Sequence, residues 1–165
     1  MFEVRRFVEE SNLIEGYSGE PYYSNHMDAY LFLLEHGVTS RTIREAHSLL
    51  MNGLLDMHYV GCFREIMVTV GGHMCPKPHM FDRMFEILFK LPLNTIDDVF
   101  EWHYFFECIH PFVDGNGRIG RCILNAQAPN GYQTIIYDSK KQSYYSDINR
   151  YRRTKFKKLV YGEDI

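Results

Sequence analysis

The chain is poor in the features that staple small secreted proteins. Its four cysteines, Cys62, Cys75, Cys108 and Cys122, form no CxxC pair in 165 residues. That spacing excludes a dense disulfide framework and reads as reduced thiols. A zinc group would have to combine His73, Cys75 and His79 across the Cys75-Pro76-Lys77-Pro78 turn, with no second half. No structural zinc is therefore expected. Long hydrophobic runs are also absent, since no stretch approaches the roughly 20 apolar residues of a membrane span. The opening Met1-Phe2-Glu3-Val4-Arg5-Arg6 has no apolar core of the signal-peptide kind. A soluble, cytoplasmic protein is the expectation, with no membrane partner. Neither charge sign dominates, because 18 basic and 21 acidic side chains leave a net charge of −3. A dedicated nucleic-acid binder is not expected from that balance. Repeats and Gly/Ser linkers are missing too, so residues 1–165 read as one domain.

What is present is apolar and aromatic: 45% hydrophobic residues and 15% aromatic, with 12 Phe and 12 Tyr. A chain of this length buries roughly 70% of its unfolded surface, so it needs no staples. Charge is uneven. Residues 1–149 carry net −7, and residues 150–165 carry net +4, with six basic residues in the nine from Arg150 to Lys158. The run offers cations to an acidic partner or a nucleic acid, with a solvated helix face as the preferred reading of that segment.

The pattern is mostly α. Val4, Val8, Ser11 and Glu15 fall on one helical face, with Phe7 and Ile14 beside them, predicting a helix over about 3–15 ended by Gly16. Asn25 to Asp28 reads as the start of a second helix running to Gly37. Thr39 or Ser40 caps a third, closed by Asn52-Gly53. The stretch 63–70 is β-prone and meets Gly71-Gly72, which predicts a short strand or hairpin. Pro76 and Pro78 lead into a helix carrying Phe81, Met84, Phe85 and Leu88. Thr95 caps the next helix, broken at Pro111. Another runs from about Gly117 to Gln127, and Ser139 with Gln142 forms a capping box for the last. His47 and His103 fall on apolar stripes and read as satisfied core histidines.

One loop carries chemistry: His110-Pro111-Phe112-Val113-Asp114-Gly115-Asn116-Gly117-Arg118-Ile119-Gly120-Arg121. Gly115 and Gly117 allow a tight curl that brings backbone N–H groups close to a ligand. The helix that follows offers free amides and a favourable dipole to an anion. Arg118 and Arg121, three apart, add two guanidinium forks suited to a polyphosphate. Asp114 is a hard oxygen ligand suited to Mg²⁺, and His110 can take a proton near neutral pH. Together these are the parts needed for attack on a nucleotide phosphate.

The stretch resembles the Fic family motif HPFx(D/E)GNGRxxR and matches it at every specified position. Fic proteins are mostly AMP-transferases, and the resemblance implies a helical bundle with a small β-hairpin flap, here within 60–78. It implies that His110 deprotonates a target hydroxyl and that Asp114 holds Mg²⁺ on the α- and β-phosphates of ATP. It makes Asn116, with the amides of Gly115 and Gly117, the anion hole, and gives the outer phosphates to Arg118 and Arg121. Tyr144 and Tyr145 resemble the nucleotide-pocket segment. Val68, Thr69, Val70, Gly71, Gly72 and His73 resemble the flap on which an extended target segment docks by strand addition. A kinase-like branch has Lys where this chain has Gly117, so Gly117 points to AMP transfer. The resemblance also leaves room for self-modification and for a homo-oligomer.

Ser11-Asn12-Leu13-Ile14-Glu15-Gly16 resembles the family's inhibitory motif (S/T)xxxE(G/N). It implies that helix 3–16 holds Glu15 against Arg121 and blocks the productive pose of ATP. The alternatives are an enzyme that removes AMP or works in both directions, and a regulatory protein that binds nucleotide without catalysis.

Overall fold

The computed structural model describes residues 3–129 and 131–162, so Met1 and Phe2 of the opening segment lie outside it. The chain folds as α1 (Val4–Ile14), α2 (Tyr22–His36), α3 (Ser40–Leu50), β1 (Thr69–Val70), β2 (His73–Met74), α4 (Phe81–Leu88), α5 (Ile96–Ile109), α6 (Asn116–Gln127), α7 (Lys141–Tyr151) and α8 (Lys157–Tyr161). A π turn, Arg152–Phe156, joins α7 to α8. No described helix is long and apolar enough to cross a membrane. The architecture is the expected one: mostly helical, with one small antiparallel hairpin.

Two helix starts form as the sequence predicts. Thr39 accepts from Thr42 N–H at 3.1 Å and Thr95 accepts from Asp98 N–H at 3.1 Å, each in a reciprocal capping box. Two others differ. Helix α2 begins at Tyr22, three residues before Asn25. Asn25 instead donates to the carbonyls of Leu50 and Asn52, tying α2 to the end of α3. The box at Ser139 does not form. There Asp138 N–H donates to the Glu10 carboxylate of α1 at 3.0 Å, and the chain enters α7 through a 3-10 turn. The β-prone run 63–70 is strand only at Thr69–Val70.

Helices α5 and α6 form the centre. Trp102, Phe105, Phe106 and Ile109 of α5 and Ile119, Cys122 and Ile123 of α6 are buried, with Phe112 between them. Complete burial of each large side chain contributes about 1.5–3 kcal/mol. The two helices approach closely because residue 120 is glycine. A Cβ there would lie 2.1 Å from Glu107 Oε1. Helix α1 packs on α2 and α6 through Phe7, Val8 and Ser11, which delivers the end of α1 to the start of α6. The C-terminal helices lie on the other side of α5, through Tyr144, Ile148, Tyr151 and Phe156.

Candidate active site

The loop 110–117 is pinned from three directions. Asn116 accepts from Phe112 N–H and donates to Phe112 C=O, both at 2.9 Å. Its side chain thus closes the loop on itself. His47 donates through Nε2 to the Asp114 carbonyl at 3.0 Å and accepts from Gly61 N–H at Nδ1, while its ring stacks on Phe112 with centroids 3.8 Å apart. Burial first, then the charge of Arg118, lowers its pKa to about 4, so His47 is a neutral support, the core role its apolar stripe predicts. Arg64 does the most. Its guanidinium donates to the carbonyls of Ile66, Pro76, Ile109 and His110, and its own N–H donates to Pro111 C=O. It joins both feet of the hairpin to the loop. In the sequence Arg64 is marked only as one of two adjacent charges, with Glu65, inside an otherwise apolar run.

His110 ends α5 with φ 51°, the one non-glycine residue with positive φ among those described. Such a backbone costs about 1–2 kcal/mol and is retained where its surroundings enforce it. Its ring is buried, with Nδ1 turned to the backbone of Glu107 one turn earlier. Burial, then Arg64 and Arg152, lowers its pKa to about 4, so the imidazole is neutral and able to accept a proton at pH 7.

Facing it is a cavity of about 350 Å³ lined by Glu15, Gly117, Arg121, Glu107, Tyr144, Tyr145, Asn149, Arg152 and the flap residues Val70 and Gly71. Arg121 is 1% exposed and held by α1 through Nε and Nη2. Its Nε donates to Ser11 Oγ at 2.7 Å, and its Nη2 donates to Ser11 C=O and to Glu15 Oε1, both at 2.8 Å. Burial opposes its charge, but Tyr144, Glu15 and Glu107 around it raise its pKa. Gly117 sits under this pair: a Cβ there would lie 2.3 Å from Glu15 Oε1 and 2.9 Å from Arg121 Nη1. The glycine is what lets the carboxylate reach the arginine.

Arg118 turns away from the cavity. It lies 4.7 Å from the Tyr17 ring centre, with Nη2 3.4 Å from Met51 Sδ and 3.8 Å from Asp114 Oδ2. The two motif arginines therefore diverge, one to each side of the loop. The Asp114 carboxyl is half exposed, with Oδ1 accepting from Gly115 N–H. Arg118 Nε and Nη1 and Arg121 Nη1 are buried without hydrogen-bond partners.

Tyr144 serves core and cavity together: its OH bonds His103 Nε2 at 2.8 Å, and His103 Nδ1 bonds Gly120 C=O at 3.0 Å. His103 is the satisfied core histidine that its stripe predicts. Two cavity residues were not singled out in the sequence. Glu107 is buried one helical turn before His110 with Oε1 unpartnered, and burial raises its pKa to about 7, against the pull of Arg121. Arg152 belongs to the basic run read as solvated, yet it is 9% exposed and donates to Asn149 Oδ1 at 2.7 Å. The π turn shifts the register there, which a 3.6-residue reading does not anticipate.

The hairpin is a two-residue turn. Gly71 and Gly72 have φ 55° and 77°, as a primed turn requires, and Thr69 pairs with Met74 and Val70 with His73.

The fold and this loop define the Fic class of helical domains, and the comparisons agree. The family model for the Fic/DOC family matches residues 37–128, so this chain belongs to the Fic/DOC family. The chain is 33% identical over 116 residues to the protein adenylyltransferase Fic of Drosophila melanogaster, a stretch covering 66% of this chain and 23% of that protein. It is 32% identical over the same length to the protein of that name in Drosophila persimilis. The chain thus spans about a quarter of the length of these curated relatives. Among solved structures, a Fic family protein from Desulfovibrio desulfuricans G20 superposes with TM-score 0.72 at 24% identity, covering 92% of this chain and 57% of that one. A Fic domain-containing signaling protein from Bacteroides thetaiotaomicron superposes at 0.70 and 20% identity, covering 88% of this chain and 70% of that one. At these identities the likeness establishes the fold.

Proposed function

We propose that this chain is a protein adenylyltransferase that moves AMP from ATP to a hydroxyl side chain of a target protein, restrained by Glu15. The single observation that carries the reading is the set of groups facing one cavity. A neutral His110, the buried cation of Arg121, Gly117 at a helix start, and Tyr144 and Tyr145 stand around a space sized for a small ligand.

In the proposed reaction His110 takes the proton of the target hydroxyl. The hydroxyl oxygen forms a bond to the α-phosphorus, the bond from that phosphorus to the bridging oxygen breaks, and pyrophosphate leaves. Arg121 meets the outer phosphates, and the N–H groups of Asn116 and Gly117 at the start of α6 meet developing negative charge, while the Gly115 N–H holds Asp114 Oδ1. The Asn116 side chain serves by fixing those amides, since both its polar atoms bond Phe112. Arg118 stands outside the cavity, with Nη2 3.8 Å from Asp114 Oδ2, on the side of the loop where the carboxylate is held. Tyr145 and Tyr144 offer aromatic faces for the base.

Asp114 fits a Mg²⁺: its carboxyl is half exposed, at the loop, with Oδ2 3.8 Å from its nearest cation. A single carboxylate with retained waters and substrate phosphates is the usual magnesium arrangement. When bound, the ion would neutralise charge on the α- and β-phosphates.

Glu15 supplies the brake. While it holds Arg121, the guanidinium is unavailable to a γ-phosphate and the carboxylate repels one. Supporting this is the threefold tie of Arg121 to α1. Labelled ATP separates the reaction types. Label at the α-phosphate is expected in protein and label at the γ-phosphate is not; the reverse would make the chain a phosphoryl transferase, and neither would leave it a nucleotide binder.

A further inference from the structure

The basic run at 150–158 has a place beside the flap. The wall formed by α7, the π turn and α8 shares the cavity with the hairpin tip, where Asn149 and Arg152 face Val70 and Gly71. Tyr161 of α8 shares a groove with Met67, Met74, Cys75 and Lys77. The C-terminal segment therefore borders the hairpin at two places, its tip and the Met67–Met74 groove.

Their charges are unevenly spent. Arg150 pairs with Asp147, and Lys155 pairs with Glu101. Arg153 and Lys157 are exposed and make no ion pair among the described residues. They lie on the π turn and α8, between Arg152, which shares the cavity with Val70 and Gly71, and Tyr161, which shares the groove with Met67 and Met74; after burial, Arg152, Arg153 and Lys157 also push the His73 pKa down. The hairpin itself offers nothing to offset them. From Ile66 to Met80 the chain has no Asp or Glu, but carries His73, Lys77 and His79.

The hairpin also has open edges. Cys75 N–H bonds Val68 C=O, so the next pair, Thr69 with Met74, lies between bonded rungs. The N–H and C=O of those two residues point outward, ready for an added strand. Met74 is 74% exposed, with Met67 and Ile66 also at the surface. A chain added to the hairpin passes the adaptable side chains of Met67 and Met74, with Arg152 at the tip and Lys77 in the adjoining groove.

We infer that the target segment docked on this flap is acidic: an extended, hydroxyl-bearing stretch whose Asp or Glu residues meet Arg153 and Lys157. This rests on the transfer reading above, which makes the flap the docking place. A protein segment is favoured over a nucleic acid, because strand edges present backbone groups that pair with a peptide and the whole chain carries net −3.

The test uses the full chain carrying Glu15→Gly and three fluorescent peptides that share one Ser/Thr-bearing extended core, flanked by Asp/Glu, by Lys/Arg or by Gly/Ser. Binding is read by anisotropy at two salt concentrations, and transfer by α-labelled ATP. The acidic peptide is expected to bind at least tenfold tighter than the basic one, with the gap narrowing in salt. Adding Arg153→Glu and Lys157→Glu is expected to erase or reverse the preference without changing ATP affinity, both positions being exposed. Equal binding of the three peptides, no binding of any, a preference that survives the charge reversal, or displacement of the acidic peptide by an oligonucleotide of equal charge at lower concentration would each overturn the inference. Acidic-peptide binding without transfer of label would sustain it while sinking the transfer reading. Equal labelling of all three would do the opposite.

Discussion

Gly117→Ala should change sign with the residue at position 15. In the wild-type chain the added Cβ falls 2.3 Å from Glu15 Oε1, well inside contact, so the carboxylate must leave Arg121. A hydrogen bond to a charged group contributes about 1.5–3 kcal/mol. Against that loss, alanine in place of a helical glycine gains up to about 1 kcal/mol. The net expectation is destabilisation by about 0.5–3 kcal/mol. In a Glu15→Gly chain the pair is already gone, and only the end of Arg121, 2.9 Å away, must shift slightly. There the substitution should be neutral or stabilising by up to about 1 kcal/mol. Urea unfolding of the four proteins gives the coupling between the positions directly, with about 1.5–3 kcal/mol expected. The same loss in both backgrounds would refute the claim that this glycine exists to admit Glu15.

Arg64→Met should cost about 3–5 kcal/mol, because four carbonyls lose a buried donor. Hydrogen exchange at the Cys75 amide, which holds the foot of the hairpin, should accelerate more than exchange in α6; uniform acceleration would argue against a local tie. Acid should unfold the protein early. Burial holds His26, His47, His103 and His110 below their ordinary pKa of 6.5, the last three to about 4, about 3 and about 4. Groups with depressed pKa contribute stability that is full above pH 6.5 and lost as pH falls through their folded values, by at most about 1.4 kcal/mol per pH unit each. Glu107 acts oppositely: its pKa rises from 4.5 to about 7, so its contribution is full below pH 4.5 and lost as pH rises through 7. Four histidines outweigh it, and Tm should fall steadily from pH 6.5 to pH 4.5; a flat Tm over that range would count against neutral burial.

Local signals carried most of the helices. Thr39 and Thr95 cap because their partners sit three residues on, within the same turn. Asn25 carries a cap's signature, yet its amide serves carbonyls 25 and 27 residues away. Ser139 is overruled by the Glu10 carboxylate, 128 residues from Asp138. Such choices are tertiary and leave no local trace. The loop 110–121 was legible because its residue types are contiguous, as was the pairing of Glu15 with Arg121, which the family resemblance implies. The divergence of Arg118 from Arg121 was not, since residues three apart on a helix promise a shared side. Glu107 was hidden because the glycine that makes room for it stands thirteen residues later, at 120. Arg152 was hidden by the π turn.

The most direct test of the account is transfer of label from α-labelled ATP by three forms of the full chain, wild type, Glu15→Gly, and Glu15→Gly with His110→Ala, incubated with a lysate. Releasing an interaction of about 1.5–3 kcal/mol corresponds to roughly 10- to 150-fold. Protein labelling should therefore rise by that order in the Glu15→Gly chain and vanish when His110 is also replaced. Equal labelling by wild type and Glu15→Gly, or labelling that survives the loss of His110, would contradict it.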